Sequence, residues 1–349
     1  MKSLCGVLPE EFAQWMASQD EKPFRASQVM QWLYQKGATS IEQMTDLSKD
    51  FRKKLSENFF LSHLRLQKMV DSKEGETTKF LWELSDGKLV ESVLIRSGDR
   101  RTVCVSSQVG CPARCAFCAS GKEGLLRNLD ASEIVEQVYL IDRHLKEKNE
   151  RVSHIVYMGM GEPLENYENV KKSISILIHP QGLNISQRRI TVSTVGVIEG
   201  IKKLAEEKFT VNLVLSLHAP NQHIRKKIIP YARKYALEDI LAAMISFGRT
   251  TKRDITYEYT LLSGINDGRE HAEELAKLLA KQQCTVNLIP YNPVDGLNLR
   301  RPEKEAIEEF REILVDSGIN TTWRYTKGKD IAAACGQLAL QKKTALAVI

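Results

Sequence analysis

From residue 102 onward the sequence alternates between two hydrophobic periods, and that alternation limits the chain to a few architectures. Short apolar runs with strand character occupy 102–108, 153–159, 189–196, 210–218, 254–262 and 285–292. Between them lie segments whose apolar residues recur every three or four positions, among them 131–147, 197–207, 270–282 and 303–318. A strand covered on both faces reads as a continuous apolar run, whereas a helix packed on one side shows a stripe of period 3.6. Six such units in succession predict an α/β fold with a parallel sheet, either a barrel or a doubly wound sheet. One sequence does not fix the strand order. In both architectures the loops at the C-terminal ends of the strands carry the chemistry.

The residues before this series read differently. Up to about residue 62 the pattern is helical: Phe12, Trp15 and Met16 share a face, as do Val29, Trp32 and Leu33, and then Leu47, Phe51 and Leu55. Ser48 is placed to cap the last of these helices. The period then shortens to two. TTKFLWEL and KLVESVLI flank Ser85-Asp86-Gly87, a turn signal that predicts a β-hairpin. The expected organisation is a helical accessory domain at 1–65, a hairpin extension at 66–96, a core at 97–330 and a C-terminal segment at 331–349.

Composition narrows the partners. No run approaches the 18 or so apolar residues of a membrane span, and the first residues lack a secretory pattern. A cytoplasmic protein without a membrane partner is expected. Fifty basic against 44 acidic side chains give a net charge of +6, which permits an RNA partner without demanding one. Arg52, Lys53 and Lys54, Gln187-Arg188-Arg189, Arg225-Lys226-Lys227 and Arg300-Arg301 are candidate phosphate contacts. A solvated face is the alternative for the first, and charge runs such as the other three are usually solvated surface.

Seven cysteines make an odd count for a disulfide framework. Three of them, Cys111, Cys115 and Cys118, crowd into SSQVGCPARCAFCAS just after the first strand of the series. Thiolates suit soft metals and iron–sulfur clusters. A structural zinc site normally takes four protein ligands, so zinc would need Cys104 or a histidine as well. Three thiolates on a cubane leave one iron open to a small molecule. Cys5, near the N-terminus in a stretch expected to be mobile, and Cys284, at the start of a core strand, read as structural.

The cysteine loop, with MGMGEPL (158–164), SLHAPN (216–221) and DIAAACGQLA (330–339), resembles the RlmN/Cfr family of radical S-adenosylmethionine (SAM) RNA methyltransferases over nearly the whole length. The resemblance implies a partial (βα)6 barrel with an N-terminal accessory domain. It also implies a [4Fe-4S] cluster on Cys111, Cys115 and Cys118, and two SAM molecules per turnover. The implied substrate is C2 of an adenosine in 23S ribosomal RNA, and of the adenosine beside the anticodon in transfer RNA. Members of the Cfr type methylate C8 of the same ribosomal adenosine instead, and the motifs do not separate the two. A zinc-containing RNA-binding protein without catalysis is the remote alternative. A flavodoxin with its reductase is the implied electron donor, and a monomer is expected.

The family's route explains the unusual machinery. C2 of adenine is an electron-poor carbon bearing hydrogen, so it does not attack the SAM methyl group as a nitrogen would. By resemblance, Cys335 carries the methyl group as S-methylcysteine and becomes covalently joined to the RNA. Glu91 is the proton acceptor, and Cys104 resolves the adduct through a transient disulfide with Cys335. Gly161, Glu162, Ser193, Ser216, Leu217, His218 and Asn292 match the SAM contacts. Alternation along KLVESVLI puts Glu91 on the face of Leu89, Val93 and Ile95, which predicts a carboxylate among apolar neighbours.

Overall fold

The computed structural model describes residues 1–207, 209–323 and 327–339. Three short helices open the chain: α1 (Pro9–Ser18), α2 (Phe24–Met30), which continues into a π-helical turn at Gln31–Gln35, and α3 (Lys49–Asn58). Their buried residues include Phe12, Met16, Val29, Leu33, Phe51 and Leu55, as the helical spacing predicts. Ser48 caps α3, its Oγ accepting from Phe51 N at 3.3 Å. Lys2–Ser3 pairs in parallel with Phe59–Phe60, so the first residues are held. Cys5 is fully buried.

Among the described residues the main sheet has ten strands, and their spatial order is their chain order. The first four are β1 (Arg65–Asp71), β2 (Thr77–Glu83), β3 (Leu89–Ser97) and β4 (Arg100–Cys104), joined as an antiparallel meander. The expected hairpin is β2–β3, with Gly87 at φ +76° in its turn. It is extended on both sides, by β1 at the edge and by β4, which belongs to the barrel.

From β4 the pairing is parallel through β5 (His154–Tyr157), β6 (Ile190–Thr194), β7 (Asn212–Ser216), β8 (Ile255–Leu261), β9 (Cys284–Pro290) and β10 (Asn320–Trp323). Between them run α4 (Ala131–Lys146), α5 (Tyr167–Ile178), α6 (Ile198–Glu206), α7 (Gln222–Ile228), α8 (Leu237–Thr251), α9 (Arg269–Leu279) and α10 (Lys304–Asp316). Each strand from β4 to β9 is thus followed by a helix, and β10 is a seventh parallel strand that the sequence reading omits. Because β1 and β10 are the two ends of the sheet, the barrel is partial. Buried Val103, Ile155, Val192, Leu213, Tyr257 and Val286 fill the strand side of the core, and Ile134, Ile174, Ile201 and Leu275 the helix side.

Glu136 on α4 joins the helical domain to this core. It is fully buried and accepts from Ser3 Oγ (2.5 Å), Ser62 Oγ (2.9 Å), His63 N (2.8 Å) and Leu64 N (3.0 Å). Burial raises its pKa, and these donors act in the opposite direction.

Candidate active site

The segment after β4 is built as a closed loop. Gln108–Gly110 pairs antiparallel with Leu125–Asn128, and Cys111 N donates to Gly124 O at 3.0 Å, so the base of the loop is zipped. Its tip is held from two sides. Ala116 N donates to Ile228 O of α7 (2.8 Å), while Ala119 N and Ser120 Oγ donate to Gly336 O (2.8 Å) and Leu338 O (2.6 Å). Cys111, Cys115 and Cys118 line one cavity at the C-terminal ends of the parallel strands. Burial raises the pKa of all three thiols, that of Cys111 to about 12, and their mutual charge reinforces the shift in Cys111 and Cys115.

The same cavity is lined by Gly161 and Glu162 after β5, Ser193 on β6, Ser216 and His218 at the end of β7, and Asn292 after β9. The fold therefore brings together candidates scattered over most of the sequence. Leu217 is the exception. Its side chain is in the core and its N donates to Glu258 O at 3.0 Å. Glu162 is held by Leu164 N (3.0 Å) and Val195 N (2.8 Å), and burial still pushes its carboxyl up to about 7. His218 sits at φ +56° and accepts at Nδ1 from Thr260 N (2.9 Å), which leaves the proton on Nε2. Burial, with Arg225 nearby, lowers its pKa to about 3, so the ring is neutral. Glu258 and Thr260 of β8 also line the cavity, a contribution the sequence reading does not single out. Their signal is the polar alternation of Thr256, Glu258 and Thr260 along that strand.

Cys335 stands where three spaces meet. It lines the cluster cavity, and with Cys104 and Cys118 it lines a second cavity inside the barrel. Its neighbours Ala332, Gln337 and Ala339 face a third, open groove that contains Glu91, Lys68, Lys79, Lys122 and Lys329. Asn292 Nδ2 donates to Cys335 O at 3.2 Å, and Gly336 turns the chain at φ +82°. The Asn292 Oδ1 is buried without a hydrogen-bond partner.

Glu91 is buried as expected, but its surround is not purely apolar. Lys79 Nζ lies 3.2 Å from its Oε1, Ala339 N donates to its Oε2 at 3.0 Å, and Lys79 Nζ also donates to Ala332 O at 3.2 Å. The carboxylate and its ammonium partner thus grip both ends of the Cys335 segment. The expected Cys104–Cys335 disulfide is not present, and no disulfide links any of the seven cysteines.

The signature of the "Ribosomal RNA large subunit methyltransferase N-terminal domain" matches residues 2–61, and that of the "Radical SAM superfamily" matches residues 105–279. A "Probable dual-specificity RNA methyltransferase RlmN 2" of Protochlamydia amoebophila is 62% identical over 96% of this chain and 93% of its own. A "Probable dual-specificity RNA methyltransferase RlmN" of Thermotoga maritima is 46% identical over 98% of both chains. The crystal structure of a radical SAM methyltransferase from Sphaerobacter thermophilus superposes with a TM-score of 0.94 at 42% identity, over 97% of this chain and 99% of that one. The chain belongs to the RlmN family of radical SAM RNA methyltransferases.

Radical SAM membership brings a [4Fe-4S] cluster and SAM as cofactors, and the residues in place fit them. Three thiols face one cavity, and a cubane takes its thiolates on separate irons, so they need not converge on a point. Among the described residues no three His, Cys, Asp or Glu side chains converge on a single ion. Gly161, at φ +109°, brings its backbone so close to Ser107 and Gln108 that a Cβ would lie 2.8 Å and 2.7 Å from them. The unpartnered Asn292 Oδ1 is an acceptor for a ligand amine or hydroxyl.

The basic clusters divide in this RlmN-family fold. Arg188, Arg189, Lys226, Lys227 and Arg300 are exposed. Arg225 is fully buried and does not reach a surface phosphate. Among the described residues no helix is long and apolar enough to cross a membrane.

Proposed function

We propose that this RlmN-family enzyme methylates C2 of an adenosine in 23S ribosomal RNA and C2 of the adenosine beside the anticodon in transfer RNA. The observation that carries the reading is the position of Cys335 on both the thiol-lined cavity and the barrel cavity, in a segment whose neighbouring residues Ala332, Gln337 and Ala339 line the groove that contains Glu91. Cys111, Cys115 and Cys118 would hold the cluster. Gly161, Glu162, Ser193, Ser216, His218 and Asn292 would hold SAM, with Leu217 contributing only by backbone. With both bound, the site supplies one-electron cleavage of SAM to a hydrogen-abstracting radical.

The chain's own groups do the rest. Cys335 carries the methyl carbon between the SAM cavity and the RNA base, a transfer that its place between the two spaces suits. Glu91 takes the ring proton from the groove side. Lys79 Nζ and Ala339 N each engage one of its carboxylate oxygens and hold it beside the Cys335 segment. Cys104 shares the barrel cavity with Cys335 and would displace the product, forming a disulfide that the resting structure lacks. Lys68, Lys122 and Lys329 are the groove cations outside the Lys79–Glu91 pair and would meet RNA phosphates, in a groove that Asp295 and Asp330 also line. An external low-potential flavoprotein such as flavodoxin would supply electrons.

The test uses anaerobically reconstituted enzyme with SAM, a reductant and unmethylated RNA fragments, followed by digestion and mass spectrometry. The reading expects 2-methyladenosine with the native chain and none with Cys335→Ala. Appearance of 8-methyladenosine would move the enzyme to the Cfr type. Cleavage of SAM without methylated RNA would overturn the substrate.

A further inference from the structure

Arg225 on α7 is among the largest fully buried side chains of the described residues. Its Nε donates to Leu217 O (3.2 Å), and its Nη2 to Val195 O (2.6 Å) and Ser216 O (3.1 Å). These carbonyls belong to the turns leaving β6 and β7, which present Ser193, Ser216 and His218 to the cavity. All three acceptors are neutral, and Nη1 is buried with no hydrogen-bond partner. Burying a cation in this way is costly unless negative charge joins it.

Glu162 when ionised, and Cys115 once it is a thiolate, favour its charged form. Burial opposes them and brings its pKa only to about 10, so it is a cation at neutral pH. The loop that carries Cys115 rests on the same helix: Ala116 N bonds to Ile228 O, and Cys115 and Cys118 pack on the cluster of buried residues that holds Ile224 and Ile228. Arg225 itself does not line the cavity. It acts across the loop, not on a ligand directly.

We propose that Arg225 is an electrostatic positioning residue for the iron–sulfur cluster, a fixed buried cation behind Cys115 that favours the reduced cluster and eases one-electron uptake. This rests on the reading that Cys111, Cys115 and Cys118 hold a [4Fe-4S] group. The step is the addition of one electron to the 2+ cluster to give the 1+ cluster, the electron coming from a low-potential donor of the flavoprotein class. Arg225 gains and loses nothing. A negative charge added beside a fixed cation in a water-poor interior is stabilised by it. A purely structural arginine would govern folding or iron loading and leave the potential of loaded protein unchanged.

The test compares native holoenzyme with Arg225→Gln, which removes the charge and keeps a donor, and Arg225→Lys, which keeps the charge and loses the fork. Iron and sulfide per chain are measured first. The potential is then followed by electron paramagnetic resonance during a titration with dithionite and mediators, without SAM or RNA. The expected result is that Arg225→Gln loads iron but its equilibrium constant for reduction falls about tenfold or more. For a one-electron couple that is a midpoint lower by about 59 mV. Arg225→Lys is expected to titrate close to native. A loaded Arg225→Gln with the native potential overturns the proposal.

If Arg225→Gln takes up no iron, Arg225→Lys decides. Loading with a near-native midpoint upholds the charge, and failure to load shows that the fork's hydrogen bonds are what the position needs, which overturns it. A native chain that binds no iron would instead overturn the cluster reading itself.

Discussion

Glu91→Gln separates the chemistry of this carboxylate from its grip on the Cys335 segment. The native oxygens each have a donor: Lys79 Nζ at 3.2 Å and Ala339 N at 3.0 Å. A carboxylate accepts at both atoms, whereas an amide accepts at one and donates at the other. Whichever way the amide turns, one donor loses its acceptor, or Ala339 N keeps only a neutral one. Such a loss is worth about 1–3 kcal/mol at a buried position, roughly 5- to 150-fold in an opening equilibrium. Lys79 can lean on Ala332 O, which it already contacts, so the lower half of that range is expected. Hydrogen exchange at the Ala339 amide should therefore quicken at least about fivefold. A general base contributes about 10²–10⁴ in rate, so RNA methylation should fall within that span while S-methylation of Cys335 continues. The assay pairs exchange mass spectrometry with analysis of the Cys335 peptide and the digested RNA. RNA methylation at the native rate would refute the base, and unchanged exchange would refute the grip.

Glu136→Ala should lower stability to denaturant by about 2–4 kcal/mol, because it strands several buried donors between the helical domain and α4; an unchanged midpoint would show that the two parts are held otherwise. Gly161→Ala should weaken SAM binding in calorimetry, since the new Cβ would lie 2.7 Å from Gln108 Cβ at φ +109°, a strain of about 1–3 kcal/mol. Glu162 sets a pH dependence of the cofactor-free protein. Its folded pKa of about 7 lies above the ordinary 4.5, so its contribution is fully present below 4.5 and is lost as pH rises through about 7. Thermal stability should fall by up to about 3 kcal/mol across that window, and Glu162→Gln should flatten the profile.

The strand–helix alternation was legible because buried strands and amphipathic helices leave different periods, and the cysteine loop because three thiols within eight residues admit few uses. Ser48 was legible as a cap from its place before an apolar stripe. What the sequence hid were facts of pairing between distant segments. Arg225 lies in a run of three basic residues that reads as surface, yet its helix turns it inward onto the carbonyls of β6 and β7. The ion pair between Lys79 and Glu91 depends on the register of β2 against β3, which places Leu81 opposite Glu91. Cys5 lies near the chain start, where burial is not the default, and distant partners fix that stretch: the pairing of Lys2–Ser3 with Phe59–Phe60, the bond from Ser3 to Glu136, and Tyr34 OH donating to Cys5 O.

The sequential order of the sheet bears on how the enzyme comes into being. Each strand pairs beside the one synthesised before it, so the sheet can grow at one edge while the chain leaves the ribosome, each parallel strand being added after its own helical crossover. The contacts that span the chain furthest belong to the segment at 327–339: Ser120 and Leu338 are 218 positions apart, and Glu91 and Ala339 are 248. The thiol loop is therefore shaped early and covered late. Until that segment arrives, the three cysteines stay open from its side, an interval in which iron and sulfide can be delivered to a nascent or newly released chain.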